Sequence, residues 1–497
     1  LRTVPRTEKE VLAPDLRSWI ESVRRMGKLY EVRDASWNLE IGTLTDLNAK
    51  SLKWTLLFDQ IEGYAPGYRL LTGSLLDASR VALTFGLDPG LDDRGLVKAL
   101  RARLAGLRER LSQFGCVSID ASPVFQHVLK GPDVDLLRFP APLWHEHDGG
   151  RYLGTADAVI TRDVDEGWVN VGSYRVMVHE RNRAGIFINA SHHGRVHAEK
   201  HWRHGERCPV VISCGHHPLL AAVGGVEVPL GVSEFDYAAA LVERPLQVVS
   251  GPVTGLPIPA DSEVAIEGYI TSEQRPEGPY GEFVGYYAGG AIQSPVIEVE
   301  AIYHRDEPIV LGTAAGRPPY DYSYFRCPIR AAMLWNALEA AGVQGIAGVW
   351  CHEAGYSRAL AIVAITQAFH GHASQVGHLA SQLREAIFGG KYVVVVDDDI
   401  DPTNTDEVLW AICSRTNPAE SIEFIRDSFG INLDPMVEHS EEYRLQELSM
   451  SRGIINACKP FRRVLRGEFP GVVESSPGVR EAVRKKWGRL FARDTPR

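Results

Sequence analysis

The chain lacks any long apolar run. None of its 497 residues fall in a stretch approaching the roughly 20 apolar residues that cross a bilayer as a helix. Its first residues include Arg2, Arg6, Lys9 and Glu10, which leave no apolar core for a secretory signal. Cysteine is sparse and unpatterned. Cys116, Cys208, Cys214, Cys327, Cys351, Cys413 and Cys458 are seven in number, widely spaced and without a C-x-x-C pair. That excludes a disulfide frame or a zinc ribbon and predicts reduced thiols in a cytoplasmic protein with no membrane partner. An excess of basic residues is also missing. The net charge is −10, so a nucleic-acid partner is not expected. The basic stretch Arg480–Arg497 reads as the solvated side of a last helix, with Val483, Trp487 and Leu490 turned inward. The sequence holds no P-loop, no G-x-G-x-x-G and no H-E-x-x-H. It has no internal repeat, low-complexity tract or heptad run.

What is present is an ordinary globular composition, 44% hydrophobic, on a chain long enough for two or three domains. Leu16, Ile20 and Val23 predict an amphipathic helix over 15–26, followed by a strand at Leu29–Val32. Leu100, Leu104, Leu107 and Leu111 predict one helix over 95–113. Pro123, Pro132, Pro140 and Pro142 mark an irregular connection. From about 153 to 315, short apolar runs separated by Gly, Pro and charged turns predict a barrel-like or two-layer sheet, interrupted by helices at 193–205 and 234–242. A helix over 326–341 leads to an alternating α/β region. Its strands are expected near 345–350, 359–366 and Tyr392–Val396, and its helices near 373–388 and 405–414.

Several groupings could carry chemistry. Pro276-Glu277-Gly278-Pro279-Tyr280-Gly281-Glu282-Phe283 sets two carboxylates five positions apart in a loop that Gly and Pro keep from being helical. Paired carboxylates in unlike surroundings keep a proton donor and an anion together at neutral pH. On its spacing alone the loop reads first as a tight turn with two solvated glutamates, because short Gly/Pro/Glu loops are common. Asn170-Val171-Gly172-Ser173-Tyr174-Arg175 places an amide and a guanidinium beside a glycine, and Arg175 could take a carboxylate by two parallel bonds. Ser191-His192-His193-Gly194 follows a strand, and His193, His197, His201 and His204 continue at near-helical spacing. A zinc site and a polar helix face both fit those histidines. Ser233-Glu234 opens a helix as N-cap and first-turn acid. Asp397, Asp398, Asp399 and Asp401 follow a strand and could hold Mg²⁺ or line a solvated loop.

The order of these motifs, joined by Gly316-Arg317-Pro318-Pro319 and Val396-Asp397-Asp398-Asp399, resembles the UbiD family of reversible decarboxylases that use prenylated FMN. The similarity is densest from about Gly172 to Thr416. The resemblance implies an α/β fold of α+β type. A cofactor domain at 1–325 would contain an α/β part to about 115 and a flavin-reductase-type split β-barrel over about 116–325. A linker helix at 326–342 and a C-terminal α/β oligomerisation domain at 343–497 would follow. It implies that Asn170, His192 and Glu234 ligate Mn²⁺ (or Mg²⁺) on the cofactor phosphate. K⁺ (or Na⁺) would lie near Glu234, the backbone of Val223–Val226 and Arg415. Asn170, Val171, Ser173, Arg175, Ser191, His192 and Glu234 would contact the cofactor. Arg175, Glu277 and Glu282 match the family's catalytic network, with Glu282 as proton donor and Glu277 orienting Arg175. Ser191, Phe283, Tyr322 and Ser323 match substrate-pocket positions. Expected partners are a small carboxylic acid, CO2, a flavin prenyltransferase supplying the cofactor, and further copies of the chain, as a dimer or alternatively a hexamer. Two other readings stand beside this one. One is a metal-dependent hydrolase or transferase using His193–His204 or Asp397–Asp401, and the other is a non-catalytic flavin-binding protein of the same fold.

Overall fold

The protein is described here by a computed structural model covering residues 13–190, 192–288, 290–437 and 448–491. The N-terminal layer is a four-stranded sheet in the order Leu29–Arg33, Thr55–Asp59, Arg69–Thr72 and Ile309–Leu311. Its last strand arrives from far down the chain and pairs in parallel, Arg69 beside Ile309. The expected N-terminal part at about 1–115 is therefore completed by residues of the barrel segment. The helix Leu16–Arg25 turns Leu16, Trp19, Ile20 and Val23 inward, as the spacing predicts, and Asp15 caps it by accepting the Ser18 N–H.

The central element is a nine-stranded sheet. Eight strands run Tyr152–Gly154, Val176–Glu180, Arg183–Ile186, Ile292–His304, Val264–Glu277, Cys208–Ser213, Ala158–Arg162 and Val169–Gly172. His127–Lys130 adds to Ile292–His304 from outside that path. The long antiparallel pair Val264–Glu277 and Ile292–His304 forms its spine, with register shifts after Glu267 and Ile270. Such shifts bend a sheet and help it curl. Leu246–Ser250, flanked by Pro257–Pro259 and Cys116–Ser118, makes a small third sheet.

The helix Arg326–Ala340 buries Ile329, Leu334 and Leu338 and packs on the helix Asp93–Leu104 and the strand Ile346–Cys351. Arg101 covers the Trp335 ring at 4.1 Å. The C-terminal sheet runs Ile346–Cys351, Leu360–Ile365, Tyr392–Asp397, Ser449–Ala457 and Ile422–Phe429, with its three middle strands parallel.

Three expectations are corrected. The helix over 95–113 breaks into Asp93–Leu104 and Leu107–Arg110, because Gly106 takes a left-handed φ of +74°. The helix over 373–388 breaks likewise, into His372–Gln382 and Arg384–Ile387, where Leu383 is extended. In the last helix, Pro477–Phe491, every side chain that the structure describes is exposed. Val483, Trp487 and Leu490 are 43%, 51% and 74% exposed, so the apolar side predicted to be buried faces outward in the single chain. All seven cysteines are unpaired. Among the described residues, no helix is long and apolar enough to cross a membrane.

Candidate active site

The strand Val264–Glu277 delivers Glu277 at its very end, and Gly278, at φ +86°, turns the chain out of the sheet. The following loop is clamped from several sides. Gly149 N–H donates to the Pro279 carbonyl at 2.7 Å, and Asp148 accepts the Gly281 N–H at 3.0 Å. Glu282 N–H reaches the Tyr286 carbonyl at 3.1 Å. The backbones at Gly149 and Gly278 lie so close that a Cβ on Gly149 would sit 1.8 Å from the Gly278 carbonyl oxygen. The spacing of the two glutamates is thus fixed by a rigid loop, and the solvated-turn reading fails. Both side chains are buried, Glu277 completely.

Arg175 stands between them. Its Nε and Nη2 donate to the two oxygens of Glu277 at 2.8 and 2.9 Å, and Nη1 donates to Glu282. Tyr152 Oη donates to Glu277 at 2.9 Å. Phe187 and Tyr280 pack on the guanidinium, with ring centres at 4.2 and 5.1 Å. Burial works against the charge of Arg175, but Glu282 and Glu277 outweigh it and hold its pKa above the ordinary value. One cation faces two carboxylates, and Glu277 takes its two-pronged side. Burial, reinforced by the Glu277 charge and opposed by Arg175, pushes the Glu282 carboxyl above its usual range. The two carboxyls thus lie in unlike surroundings: Glu277 takes the two-pronged side of Arg175, and Glu282 is the one whose proton burial favours.

Beside this trio opens a cleft of about 380 Å³, lined by Asn170, Val171, Ser173, Arg175, His192, Glu234, Glu282, Phe283 and Tyr322 among others. Asn170 lies in the strand Val169–Gly172, His192 precedes the helix His193–Arg203, and Glu234 opens the helix Glu234–Val242, which Ser233 caps. His192 is itself exposed, but the protein packed around the cleft, with the Arg358 charge adding to it, lowers its pKa to about 4, which favours the neutral ring that a metal needs. Burial raises Glu234 to about 7, although the Val171 N–H donates to it at 2.6 Å. An amide, a neutral imidazole and a carboxylate suit a moderately hard divalent cation, which would also restore the charge of Glu234. Along the cleft, Arg326 Nε and Arg358 Nε are buried with no hydrogen-bond partner, while Asn170 interacts with Tyr174 and Tyr322 with Ser173. Such orphaned groups are what a polar, phosphate-bearing ligand would satisfy, so the residues present fit a phosphorylated cofactor with a metal.

Other expected residues lie elsewhere. Ser323 is turned into its own turn, bonding the Tyr320 backbone at 2.8 Å, and does not line the cleft. Arg415 is bound at 2.8–3.0 Å by Asp397 and Asp399 in the C-terminal sheet region and does not join Glu234. Within the aspartate run, Asp397 and Asp399 are ion-paired, with Lys459 also 2.6 Å from Asp399, while Asp398 accepts from Thr366 and Asp401 from Thr403. The histidines of the helix His193–Arg203 and its cap do not converge. His197 meets Thr161 at 3.0 Å, His201 the Arg162 carbonyl at 3.3 Å, and His204 Asp165 at 3.1 Å. Among the described residues, no cluster of three or more His, Cys, Asp or Glu is arranged to hold a metal. Ser191 lies outside the described residues. Sequence reasoning missed Tyr152, Phe187 and Tyr280 around Arg175, and Glu227, which Arg330 and Arg358 share at 2.5–2.8 Å. Only the position of Tyr280 inside the carboxylate loop could have pointed to it.

The chain is similar to known proteins along nearly all of its length. The chain matches models of the N-terminal (20–100), Rift-related (117–318) and C-terminal (323–457) domains of 3-octaprenyl-4-hydroxybenzoate carboxy-lyase. It is 32% identical to a pyrrole-2-carboxylic acid decarboxylase of Pseudomonas aeruginosa, across 96% of this chain and 98% of that one. It is also 32% identical to a phenolic acid decarboxylase of Bacillus subtilis, across 69% and 71%. The UbiD-class enzyme HmfF from Pelotomaculum thermopropionicum, solved with FMN, superposes with a TM-score of 0.82 at 28% identity, covering 95% of this chain and all of that one. An evolved dimeric form of HmfF, solved with prFMN, gives 0.79 at 27% identity, with the same coverage. The chain belongs to the UbiD family of carboxy-lyases.

Proposed function

We propose that the protein reversibly decarboxylates an aromatic, heteroaromatic or α,β-unsaturated carboxylic acid, using prenylated FMN. The observation that carries this reading is Arg175 clasped between Glu277 and Glu282 at the wall of the cleft. Loss of CO2 from an sp² carbon leaves an electron pair that no side chain can absorb, and the bound flavin would supply that sink. The protein's own groups do the rest. Arg175 orients the substrate carboxylate, Glu277 fixes Arg175, and Glu282 gives its proton to the carbon that loses CO2. In the reverse direction, Glu282 takes that proton back. Asn170, His192 and Glu234 would hold Mn²⁺ (or Mg²⁺) against the cofactor phosphate. K⁺ (or Na⁺) would sit by Glu234 and the backbone of 223–226. Val171 and Ser173 would line the flavin, and Phe283 and Tyr322 the substrate. A flavin prenyltransferase would provide the cofactor. The working form would be a homodimer, a reading supported by the dimeric HmfF relative.

The test is to co-produce the chain with a flavin prenyltransferase and record its absorption, native mass and metal content. A bound prenylated flavin with stoichiometric Mn²⁺ is expected. Protein that stays free of flavin under ample supply would refute the reading.

A further inference from the structure

The loop from Glu277 to Glu282 has a second ionic neighbour besides Arg175. A turn from His145 to Asp148 closes with the Asp148 N–H on the His145 carbonyl at 3.1 Å. One oxygen of the Asp148 carboxylate accepts the Gly281 N–H at 3.0 Å. The other accepts the His145 N–H at 3.1 Å and meets the His145 ring nitrogen Nδ1 at 3.3 Å. The Tyr287 hydroxyl reaches the same carboxylate. The Asp148 side chain is fully buried, and among the described residues no lysine or arginine pairs with it. A buried carboxylate without a cation depends on its neutral donors, so letting go of the Gly281 N–H would be costly. Gly281 is what lets the pair come this close: a Cβ there would lie 3.2 Å from His145 Nδ1 and 3.2 Å from the Ala315 carbonyl oxygen. On this side the loop borders a cavity of about 520 Å³, lined by His145, Gly281, Gly285, Tyr286 and Tyr287 among others. Packing there is incomplete, and the charge-assisted bond to Gly281 supplies a fixed point.

Gly281 directly precedes Glu282, so this bond fixes the backbone from which the Glu282 carboxyl extends into the cleft. The charged groups facing that carboxyl are Arg175, Glu277 and Asp148, and Asp148 does not itself line the cleft. Tyr280 and Tyr320 stand beside it. The titratable groups facing Asp148 in turn are His145, Tyr280 and Tyr287. Arg175 draws the proton off Glu282, whereas the like charges of Glu277 and, less strongly, Asp148 keep it there. Removing the Asp148 charge alone would therefore let Glu282 release its proton at lower pH.

We propose that Asp148 is a positioning residue for Glu282, fixing the backbone before it through Gly281 and facing its carboxyl with a like charge from outside the cleft. The inference rests on the decarboxylase reading, in which Glu282 is the proton donor. Asp148→Asn keeps an oxygen for the Gly281 N–H and removes the charge, whereas Asp148→Ala removes both. Flavin-loaded native protein and variants are compared by kcat against pH. Over the same range, infrared spectroscopy follows the band of the protonated Glu282 carboxyl, assigned by its disappearance in Glu282→Gln. In Asp148→Asn the low-pH kcat should stay close to native, while the descending limb and the infrared band both move to lower pH. Asp148→Ala should lose kcat by ~10²-fold with KM little changed, as expected of a misplaced proton donor. A purely structural role would move neither limb nor band, whatever it did to the melting temperature. Limb and band that stay in place in Asp148→Asn would overturn the proposal, and so would native kcat in Asp148→Ala. If the band moves as expected although no acid loses CO2 on the native protein, the positioning role stands and the decarboxylase reading falls instead.

Discussion

Arg175 has one positive charge and two carboxylates to share it, and that imbalance sets the chemistry of the site. Because the folded protein holds the Glu282 proton above the usual carboxylate value of 4.5, the acid form persists to higher pH than in the unfolded chain. Decarboxylation limited by carbon protonation should therefore be full below that raised pKa and fall as pH rises through it. The same proton makes folding stability decline over that interval, since the native state binds it more tightly. Glu277→Gln would leave Arg175 to Glu282 alone, lowering the Glu282 pKa. Its kcat–pH profile should show the descending limb moved to lower pH, and an unmoved limb would count against the shared-charge account. The motif residues were legible because they are consecutive or nearly so. Arg326 and Glu227 were not, because no periodicity tells which side of a helix start or loop meets a cleft. Ser323 and Arg415 misled for the same reason: their partners, the Tyr320 backbone and Asp397 with Asp399, lie outside the cleft.

The elements of the site meet by close backbone approach. Gly149 and Gly278 are in contact, and Gly172 packs on the Tyr174 ring, where a Cβ would lie 2.3 Å from the ring carbon that carries the hydroxyl. Gly149→Ala should push away the loop between Glu277 and Glu282. Calorimetry should find a loss of about 1–3 kcal/mol, and activity should fall even where the protein stays folded. Wild-type stability and activity in that variant would contradict the clamped-loop description. At the strand Val169–Gly172 and the two helix starts, His192→Ala should yield protein that retains much less flavin and metal after gel filtration. Flavin content equal to wild type would remove His192 from the ligand set. Most strands of the central sheet could be read from their short apolar runs. The strand Ser449–Ala457 could not, because it begins with polar residues although its middle is buried between two neighbours. Breaks at Gly106 and Leu383 likewise escaped a reading based on leucine spacing alone.

Across the whole molecule, the N-terminal sheet closes with Ile309–Leu311 and the linker helix packs on Asp93–Leu104, so the cofactor cleft and the C-terminal sheet share a continuous core. The exposed apolar side chains of the helix Pro477–Phe491 accord with the proposed self-association. Sedimentation should find at least two 54.9 kDa chains per particle, and a monomer at micromolar concentration would contradict the homodimer. The central claim is that this molecule exchanges a proton with carbon through Glu282 beside a bound prenylated flavin. Its most direct test is deuterium incorporation from D2O at the carboxyl-bearing carbon, comparing native protein with Glu282→Gln at equal flavin content. The account predicts incorporation by the native protein and a rate lower by ~10²–10⁴-fold in the variant. Equal incorporation by the two would contradict it.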